Sequence, residues 1–271
     1  MGRIIESMKE LNKIVQKPDY KKRGNWMARN ITRDMALPVS WLLLHTSVTA
    51  NQVTFASLVI GLVGCIAFAC GSKNAMLLGA FLLQLWYLLD HVDGHIARYR
   101  KQSSLTGLYL DYITHYIIHA GIFIGVGCGV FQQTGNPFYL VAGCIAAFGT
   151  VFFNLIYDVK YKSYFARIEI EGKTAVIKPA EKKEGEGQGR GGILRLLFSI
   201  IHKLCEVHVL MNIVTLLAIL AFFMDFYPWG MVAYVYAFFT MIVAVAKNSY
   251  FVLAKIPDKN FEEIFELKDE N

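Results

Sequence analysis

Long apolar segments separated by short polar ones dominate the chain. A helix that crosses a bilayer needs about 20 mainly apolar residues, and segments near this length lie at 51–70, 75–98, 104–131, 137–157, 211–229 and 231–253. These six segments predict six transmembrane helices. The composition agrees, because 55% of the residues are hydrophobic and the mean hydropathy is +0.40, too apolar for an ordinary soluble domain. The predicted fold class is an all-α integral membrane protein.

Amphipathic segments precede the first apolar one. Apolar side chains recur on one helix face between Ile4 and Val15, and a second stretch, 26–44, mixes charged with apolar residues. Such patterns are typical of helices that lie in the membrane interface. Residues 1–50 are therefore predicted to form a cytoplasmic N-terminal segment of interfacial helices.

Two polar segments complete the domain organisation. Glycine, lysine and glutamate fill much of 166–192, which predicts a flexible cytoplasmic linker inside a membrane domain at 51–255. The acidic segment 256–271 is expected to be a cytoplasmic tail. The five cysteines show no Cys-x-x-Cys spacing, so we expect buried hydrophobic thiols and neither disulfides nor a zinc site.

The basic residues indicate the orientation. With the spans above, 26 of the 27 lysines and arginines fall on one side of the membrane and Lys73 on the other. Because positively charged loops stay in the cytoplasm, both termini and the turn near residue 102 are predicted to be cytoplasmic, in a membrane of the bacterial inner type. The net charge of +6 is explained in this way, and we expect no nucleic-acid partner.

The second and third apolar segments contain charged residues, which are costly in a membrane unless they have a function. Asp90 and Asp93 share one helix face, and Asp111 and His115 share a face of the next helix. An antiparallel hairpin with glycine and alanine at its interface would let the two helices approach closely and leave room for a ligand. The pairs that such a hairpin brings together are Asp90 with His115, Gly94 with Asp111, and Arg98 with Gly107.

This pattern resembles the signature of the CDP-alcohol phosphotransferase family, Asp-x-x-Asp-Gly-x-x-Ala-Arg followed after about eight residues by Gly-x-x-x-Asp-x-x-x-Asp. Seven of the eight fixed positions match, at Asp90, Asp93, Gly94, Ala97, Arg98, Gly107 and Asp111. The eighth is an aspartate in the family and His115 in this chain. The resemblance implies that an alcohol attacks the distal phosphorus of a CDP-linked donor and that CMP leaves.

Three carboxylates at this spacing suit hard divalent cations, Mg²⁺ or Mn²⁺, and two such ions would stabilise the attacking and leaving oxygens of a phosphoryl displacement. The resemblance implies that Asp90, Asp93 and Asp111 hold the metal. The candidate nucleotide-binding residues are Gly94, Ala97, Arg98, Gly107, Asn51 and Thr54.

Three of these roles have alternatives. Arg98 either binds a phosphate or serves as a positive charge at the cytoplasmic end of its span. The segment from Thr49 to Thr54 resembles the family's entry to its first span, so Asn51 and Thr54 either contact the nucleotide phosphates or accompany helix capping by Thr49 or Asn51.

His115 takes the place of the aspartate that is regarded as the general base of the family. An imidazole with a reference pKa of about 6.5 can accept the proton of an acceptor hydroxyl at neutral pH. The other two interpretations are a metal ligand and a site that has lost its activity.

The sequence thus predicts a membrane enzyme that transfers a phosphoalcohol group, with CDP-diacylglycerol as the expected donor. Its expected partners are an alcohol or alcohol-phosphate acceptor and membrane lipid, and a homodimer is left open. One alternative is a transferase that uses CDP-choline or CDP-ethanolamine and acts on diacylglycerol. The other is a non-catalytic metal-binding or transport relative.

Overall fold

The computed structural model describes residues 7–16, 26–178, 200–224 and 226–268. This part of the chain is mostly helical. The helices are α1 (Met8–Val15), α2 (Arg33–Leu44, after a π-helical turn at Ala28–Thr32), α3 (Ala50–Ala69), α4 (Lys73–Tyr99), α5 (Leu105–Thr134), α6 (Phe138–Glu171), α7 (Val207–Phe223), α8 (Trp229–Leu253) and α9 (Ile256–Ile264). Two short strands, β1 (Thr174–Ile177) and β2 (Phe265–Lys268), pair antiparallel.

Five of the described helices, α3 to α6 and α8, are long and apolar enough to cross a membrane. This confirms an all-α integral membrane protein. The predicted span 211–229 corresponds to α7, which is apolar but has 17 residues and lies a few residues earlier in the chain. Pro228 caps the N-terminus of α8, so the chain leaves α7 before that point.

Helix α3 packs against both α4 and α5, the two helices that carry the signature residues. Glycines permit this packing: a Cβ atom on Gly79 of α4 would lie 2.9 Å from the carbonyl oxygen of Gly64, and one on Gly129 of α5 would collide with the carbonyl oxygen of Phe68. Helices α4 and α5 make little direct backbone contact with each other. The prediction of a closely packed hairpin between them is therefore wrong, and the space between them contains cavities.

The N-terminal helices pack against the half of α4 that is predicted to face the cytoplasm. Leu11 and Val15 of α1 are fully buried, and they belong to one apolar cluster with Val92 and Ile96 of α4. Ser7 caps α1 in a capping box with Glu10. The amphipathic pattern of α1 is thus used for packing against the membrane domain.

The segment after α6 differs from the predicted linker over its first part. The chain is helical to Glu171, turns at Gly172 with a φ of 61°, and then forms β1 against β2. Tyr164 packs edge-on against Phe261 of α9, with ring centroids 5.5 Å apart, which anchors the C-terminal segment. The first part of the predicted linker, to Ile177, is thus helix, turn and strand, and its residues 179–192 lie outside the described residues.

The cysteines are all free thiols, as predicted. Cys65 and Cys205 are buried, and burial raises the pKa of the Cys205 thiol to about 11. Cys70 and Cys144 are exposed on the surface of the helix assembly, so the prediction of burial is wrong for these two positions. They lie in or next to apolar spans whose outer faces pack against nothing in the described chain.

Candidate active site

Asp90 of α4 and His115 of α5 face each other across the gap between these helices. His115 Nε2 lies 3.4 Å from Asp90 Oδ1, which confirms this pair of the predicted register. One ligand atom from each of Asp90, Asp111 and His115 lies within 4.8 Å of the others, and we call these three residues the ligand cluster. Among the described residues they are the group of histidine, cysteine and carboxylate side chains that could hold a metal ion.

The hydrogen bonds of His115 fix which ring nitrogen carries the proton. His115 Nδ1 lies 2.9 Å from the carbonyl oxygen of Asp111, an atom that can only accept, so Nδ1 donates. In a neutral imidazole the lone pair is then on Nε2, which faces Asp90. Two electron-rich atoms that face each other are stabilised by a cation or a proton between them.

Asp93 lies one turn from Asp90 on α4 but is not part of the ligand cluster. Its Oδ2 accepts a hydrogen bond of 2.6 Å from Thr54 Oγ1 of α3. Thr54 is buried, with 5% of its surface exposed. The predicted phosphate-contacting threonine is thus in contact with a candidate metal ligand, and Thr49 caps α3 in a capping box with Gln52.

A cavity of about 370 Å³ lies between the start of α3 and the facing ends of α4 and α5. Because it contains all of the candidate nucleotide-binding residues, we call it the signature cavity. Its described lining includes Asn51, Thr54, Asp93, Gly94, Ala97, Arg98, Gly107 and Asp111. Asn51 Oδ1 would lie 3.2 Å from a Cβ atom on Gly107, so the glycine leaves space for the amide at this wall.

Arg98 connects the signature cavity with the N-terminal helix. Its Nε donates a hydrogen bond to the carbonyl oxygen of Val15 at the end of α1. Its guanidinium lies over Gly94, where a Cβ atom would be 3.0 Å from one terminal nitrogen. Arg98 and Gln16 also line a smaller cavity of about 200 Å³ beside Asp90 and Asp93. Arg98 therefore also binds the end of α1. Neither of the two interpretations from the sequence included this structural role.

A third cavity, of about 430 Å³, is lined by Asp90 and His115. We call it the histidine cavity because four histidines line it. Its described lining is Ala28, Arg33, Tyr87, Asp90, His91, His115, His119, Asn154, Glu206, Val207 and His208. His119 lies one helical turn after His115 on α5, but Arg33, Asn154 and His208 come from three other helices and had no signal that linked them to the site.

His95 is not part of either large cavity wall. Its side chain is 1% exposed and its Nδ1 lies 3.0 Å from Ser40 Oγ of α2. His95 is thus a packed, hydrogen-bonded histidine. His91, in contrast, lines the histidine cavity. Its Nδ1 donates to the carbonyl oxygen of Tyr87.

The donor set of the ligand cluster fits a divalent cation. Two carboxylates and an imidazole lone pair within one small volume satisfy the preference of such ions for negatively charged oxygen and nitrogen ligands. The residues present therefore fit the metal that the sequence predicts.

Residues 47–177, which include every signature position and His115, match the family described as CDP-alcohol phosphatidyltransferase. The bifunctional IPC transferase and DIPP synthase of Thermococcus kodakarensis is 26% identical over 147 residues, which is 54% of this chain and 32% of that protein. The chain thus spans less than half the length of this curated relative. The crystal structure of phosphatidylinositol phosphate synthase from Mycobacterium tuberculosis, with CDP-DAG bound, has the same fold, with a TM-score of 0.51 at 21% identity over 80% of this chain and 90% of that chain.

Proposed function

Because residues 47–177 match the CDP-alcohol phosphatidyltransferase family, we propose that the chain is a metal-dependent membrane transferase of this family. It moves a phosphoalcohol group, most simply phosphatidyl, from a CDP-linked donor to the hydroxyl of an acceptor. The observation that carries this proposal is the ligand cluster, which lies between the signature cavity and the histidine cavity. One cavity is lined by Asp90 and His115 and the other by Asp111, so each substrate has a cavity that reaches this group of charged side chains.

In the proposed reaction the acceptor oxygen forms a bond to phosphorus while the bond from phosphorus to the CMP oxygen breaks. The hydroxyl proton passes to a base, and CMP keeps the electron pair of the broken bond. Asp90, Asp93 and Asp111 are the proposed metal-holding carboxylates. The bound metal would supply positive charge to the phosphoryl oxygens. Thr54 positions Asp93 through its hydrogen bond to Oδ2.

His115 is the proposed proton acceptor for the hydroxyl. Two contacts support this role: its Nδ1 donates to Asp111, so Nε2 carries the lone pair, and its side chain lines the histidine cavity. The same lone pair belongs to the ligand cluster, which favours a metal-ligand role as the second candidate. The two roles predict different responses to added metal, as described in the Discussion.

CDP-diacylglycerol is the proposed donor, and the nucleotide is proposed to occupy the signature cavity. The solved relative carries CDP-DAG in its crystal structure, which supports this choice. The amide of Asn51 and the guanidinium of Arg98 line the cavity and offer N–H donors to phosphate oxygens. The proposed topology has six spans, with both termini and the signature cavity on the cytoplasmic side, since 26 of 27 basic residues then face the cytoplasm.

The test is CMP release from labelled CDP-diacylglycerol by the full chain, purified and returned to lipid, with Mn²⁺ or Mg²⁺ and a panel of acceptor alcohols. We expect CMP release that needs metal and an acceptor, together with a phosphodiester product. Asp111→Asn serves as the inactive control. Absence of CMP release with every acceptor and both metals would show that the transferase proposal is wrong.

A further inference from the structure

Two residues that line the histidine cavity carry buried polar atoms whose hydrogen-bonding capacity is unused. His119 Nε2 and His208 Nδ1 are both inaccessible to solvent and have no hydrogen-bond partner. His119 as a whole is 7% exposed. A buried polar group without a partner costs about 1–3 kcal/mol, so the unused hydrogen-bonding capacity of these two imidazoles favours a polar ligand in the cavity that they line.

These imidazoles form a continuous row that starts at the ligand cluster. The ring centroids of His115 and His119 are 5.5 Å apart, and those of His119 and His208 are 6.5 Å apart, with the rings nearly perpendicular in both pairs. Tyr87 packs against His208 with centroids 4.6 Å apart and holds its ring in place. A ligand along this row would have one end at Asp90 and His115 and its body against His119 and His208.

The hydrogen-bonding groups that line the histidine cavity favour a ligand with several hydroxyl groups. A neutral imidazole offers one donor N–H and one acceptor lone pair, and the Asn154 amide also offers both. A hydroxyl group likewise donates and accepts, so several hydroxyls on one molecule match several such groups. Diacylglycerol has a single hydroxyl, and its binding would leave most of these polar atoms desolvated and unpaired.

The charges of the wall argue against a phosphorylated ligand. Among the described residues that line the cavity, Arg33 is the single lysine or arginine, Glu206 adds a negative charge, and the charge of Asp90 is assigned to the proposed metal. A phosphate monoester carries about two negative charges, so this wall would leave it without balanced counter-charge. An uncharged ligand avoids that cost.

We propose that the histidine cavity binds the acceptor of the transfer reaction, that this acceptor is an uncharged polyol, and that His119 and His208 determine its selection. The inference rests on the proposed transferase function and deepens it, because it assigns the lipid to the CDP-linked donor and the water-soluble alcohol to the acceptor. One hydroxyl of the polyol reaches Asp90 and His115, and its other hydroxyls bind the imidazoles of His119 and His208.

The first experiment compares acceptors with the wild-type chain in lipid. Unphosphorylated polyols, the same polyols carrying one phosphate, and diacylglycerol are each offered with the CDP-linked donor, and CMP release is measured. We expect the unphosphorylated polyols to have the highest kcat/KM. A preference for diacylglycerol or for the phosphorylated polyols would overturn the inference.

The second experiment uses His208→Leu, His208→Gln and His119→Gln, with His45→Leu as the matched control. His45 is exposed and belongs to neither cavity. His208→Leu should raise the acceptor KM about 10-fold, the scale of one buried hydrogen bond, and should leave the donor KM unchanged. His208→Gln should keep part of the affinity because an amide also donates and accepts. Unchanged acceptor KM in both His208 variants would overturn the inference.

A binding measurement separates the two proposals and needs no turnover. Trp86 is fully buried and packs against both His115 and His119, with ring centroids 5.3 Å and 6.0 Å away. Polyol binding should therefore change the fluorescence of the wild-type chain and not that of Trp86→Phe. Failure of the transferase proposal would appear as no CMP release with any acceptor. Failure of this inference would appear as CMP release with no Trp86 response to polyol.

Discussion

Thr54 Oγ1 donates a hydrogen bond to Asp93 Oδ2 at 2.6 Å and thereby connects α3 to the signature residues of α4. The same hydroxyl also lies 3.1 Å from the carbonyl oxygen of Ala50. A threonine that contacts a metal-holding carboxylate fixes the orientation of that carboxylate, as is common around metal sites. The threonine of the signature region is thus placed to act on the proposed metal site through Asp93.

The first prediction concerns this bond. Thr54→Val keeps the shape of the side chain and removes the donor, so Asp93 loses one fixed orientation. We expect the metal concentration for half-maximal CMP release to rise about 10–100-fold, the range for loss of a group that orients a ligand. Thr134→Val is the control, because Thr134 lies at the other end of α5, where its hydroxyl bonds to the backbone of Val130 and Asn136. An unchanged metal dependence in Thr54→Val would contradict this role.

The second prediction concerns the carboxylates. Asp93→Asn and Asp111→Asn each remove a charged ligand, and we expect CMP release to fall more than about 100-fold, beyond the loss seen for groups outside the ligand set. Mn²⁺ binding, measured by electron paramagnetic resonance, should weaken in parallel. Asp158→Asn is the control, since Asp158 accepts from Tyr116 and lines neither large cavity. Near-normal turnover at saturating metal in a folded Asp93 or Asp111 variant would refute the ligand assignment.

The third prediction distinguishes the two roles of His115. If His115 accepts the hydroxyl proton, His115→Ala should lower kcat by about 10²–10⁴-fold and leave Mn²⁺ affinity and donor KM nearly unchanged. His115→Asp should then recover part of the rate. If His115 is a metal ligand, His115→Ala should instead weaken Mn²⁺ binding, and added Mn²⁺ should restore the rate. A wild-type rate for His115→Ala at every metal concentration would exclude both roles.

The fourth prediction concerns α1. Leu11 is fully buried against α4, so Leu11→Ala should destabilise the docked position of α1 by about 2–5 kcal/mol, the usual cost of such a truncation. Trypsin should then cleave at Lys13 faster than in the wild type, while the membrane helices stay protected. Met8→Ala on the same helix is the control, because Met8 is 44% exposed. Equal cleavage of Leu11→Ala and wild type would mean that α1 is held by other contacts.

The fifth prediction concerns orientation. A membrane-impermeant thiol reagent added from outside should label Ser72→Cys above the wild-type background, because Ser72 is next to Lys73, the one basic residue predicted to be outside. Thr174→Cys in β1 should be labelled only after the membrane is opened. The reverse pattern would invert the proposed topology.

The sequence was sufficient for the contact between Asp90 and His115, because helical periodicity and equal rise on two antiparallel helices already relate these positions. It was not sufficient for the separation of α4 and α5. That separation depends on α3, whose close approach to Gly79 and Gly129 involves residues far apart in the chain. Local patterns do not encode which helix inserts between two others.

The histidine cavity was hidden for the same reason. His208 begins a different helix, Arg33 belongs to the N-terminal segment, and Asn154 is an isolated polar residue in an apolar span. None of these three residues belongs to a recognisable motif. Taken singly, each resembles an ordinary residue at a helix end or in a packed core. Only the packing of α2, α4, α5, α6 and α7 brings them to one wall. Arg98 is similar, since its bond to Val15 joins residues 83 positions apart.

The pairing of β1 with β2 constrains how many times the intervening chain crosses the membrane. β1 follows α6 and β2 follows α8 and α9, and hydrogen-bonded strands lie on the same side of the bilayer. An even number of crossings between the two strands satisfies this pairing. Among the described residues between them, α8 is long enough to cross, and a crossing by α7, whose 17 residues span only about 26 Å, would make the number even. The strand pairing thus favours the proposed six spans, and the bilayer around α7 is expected to thin to meet a short helix.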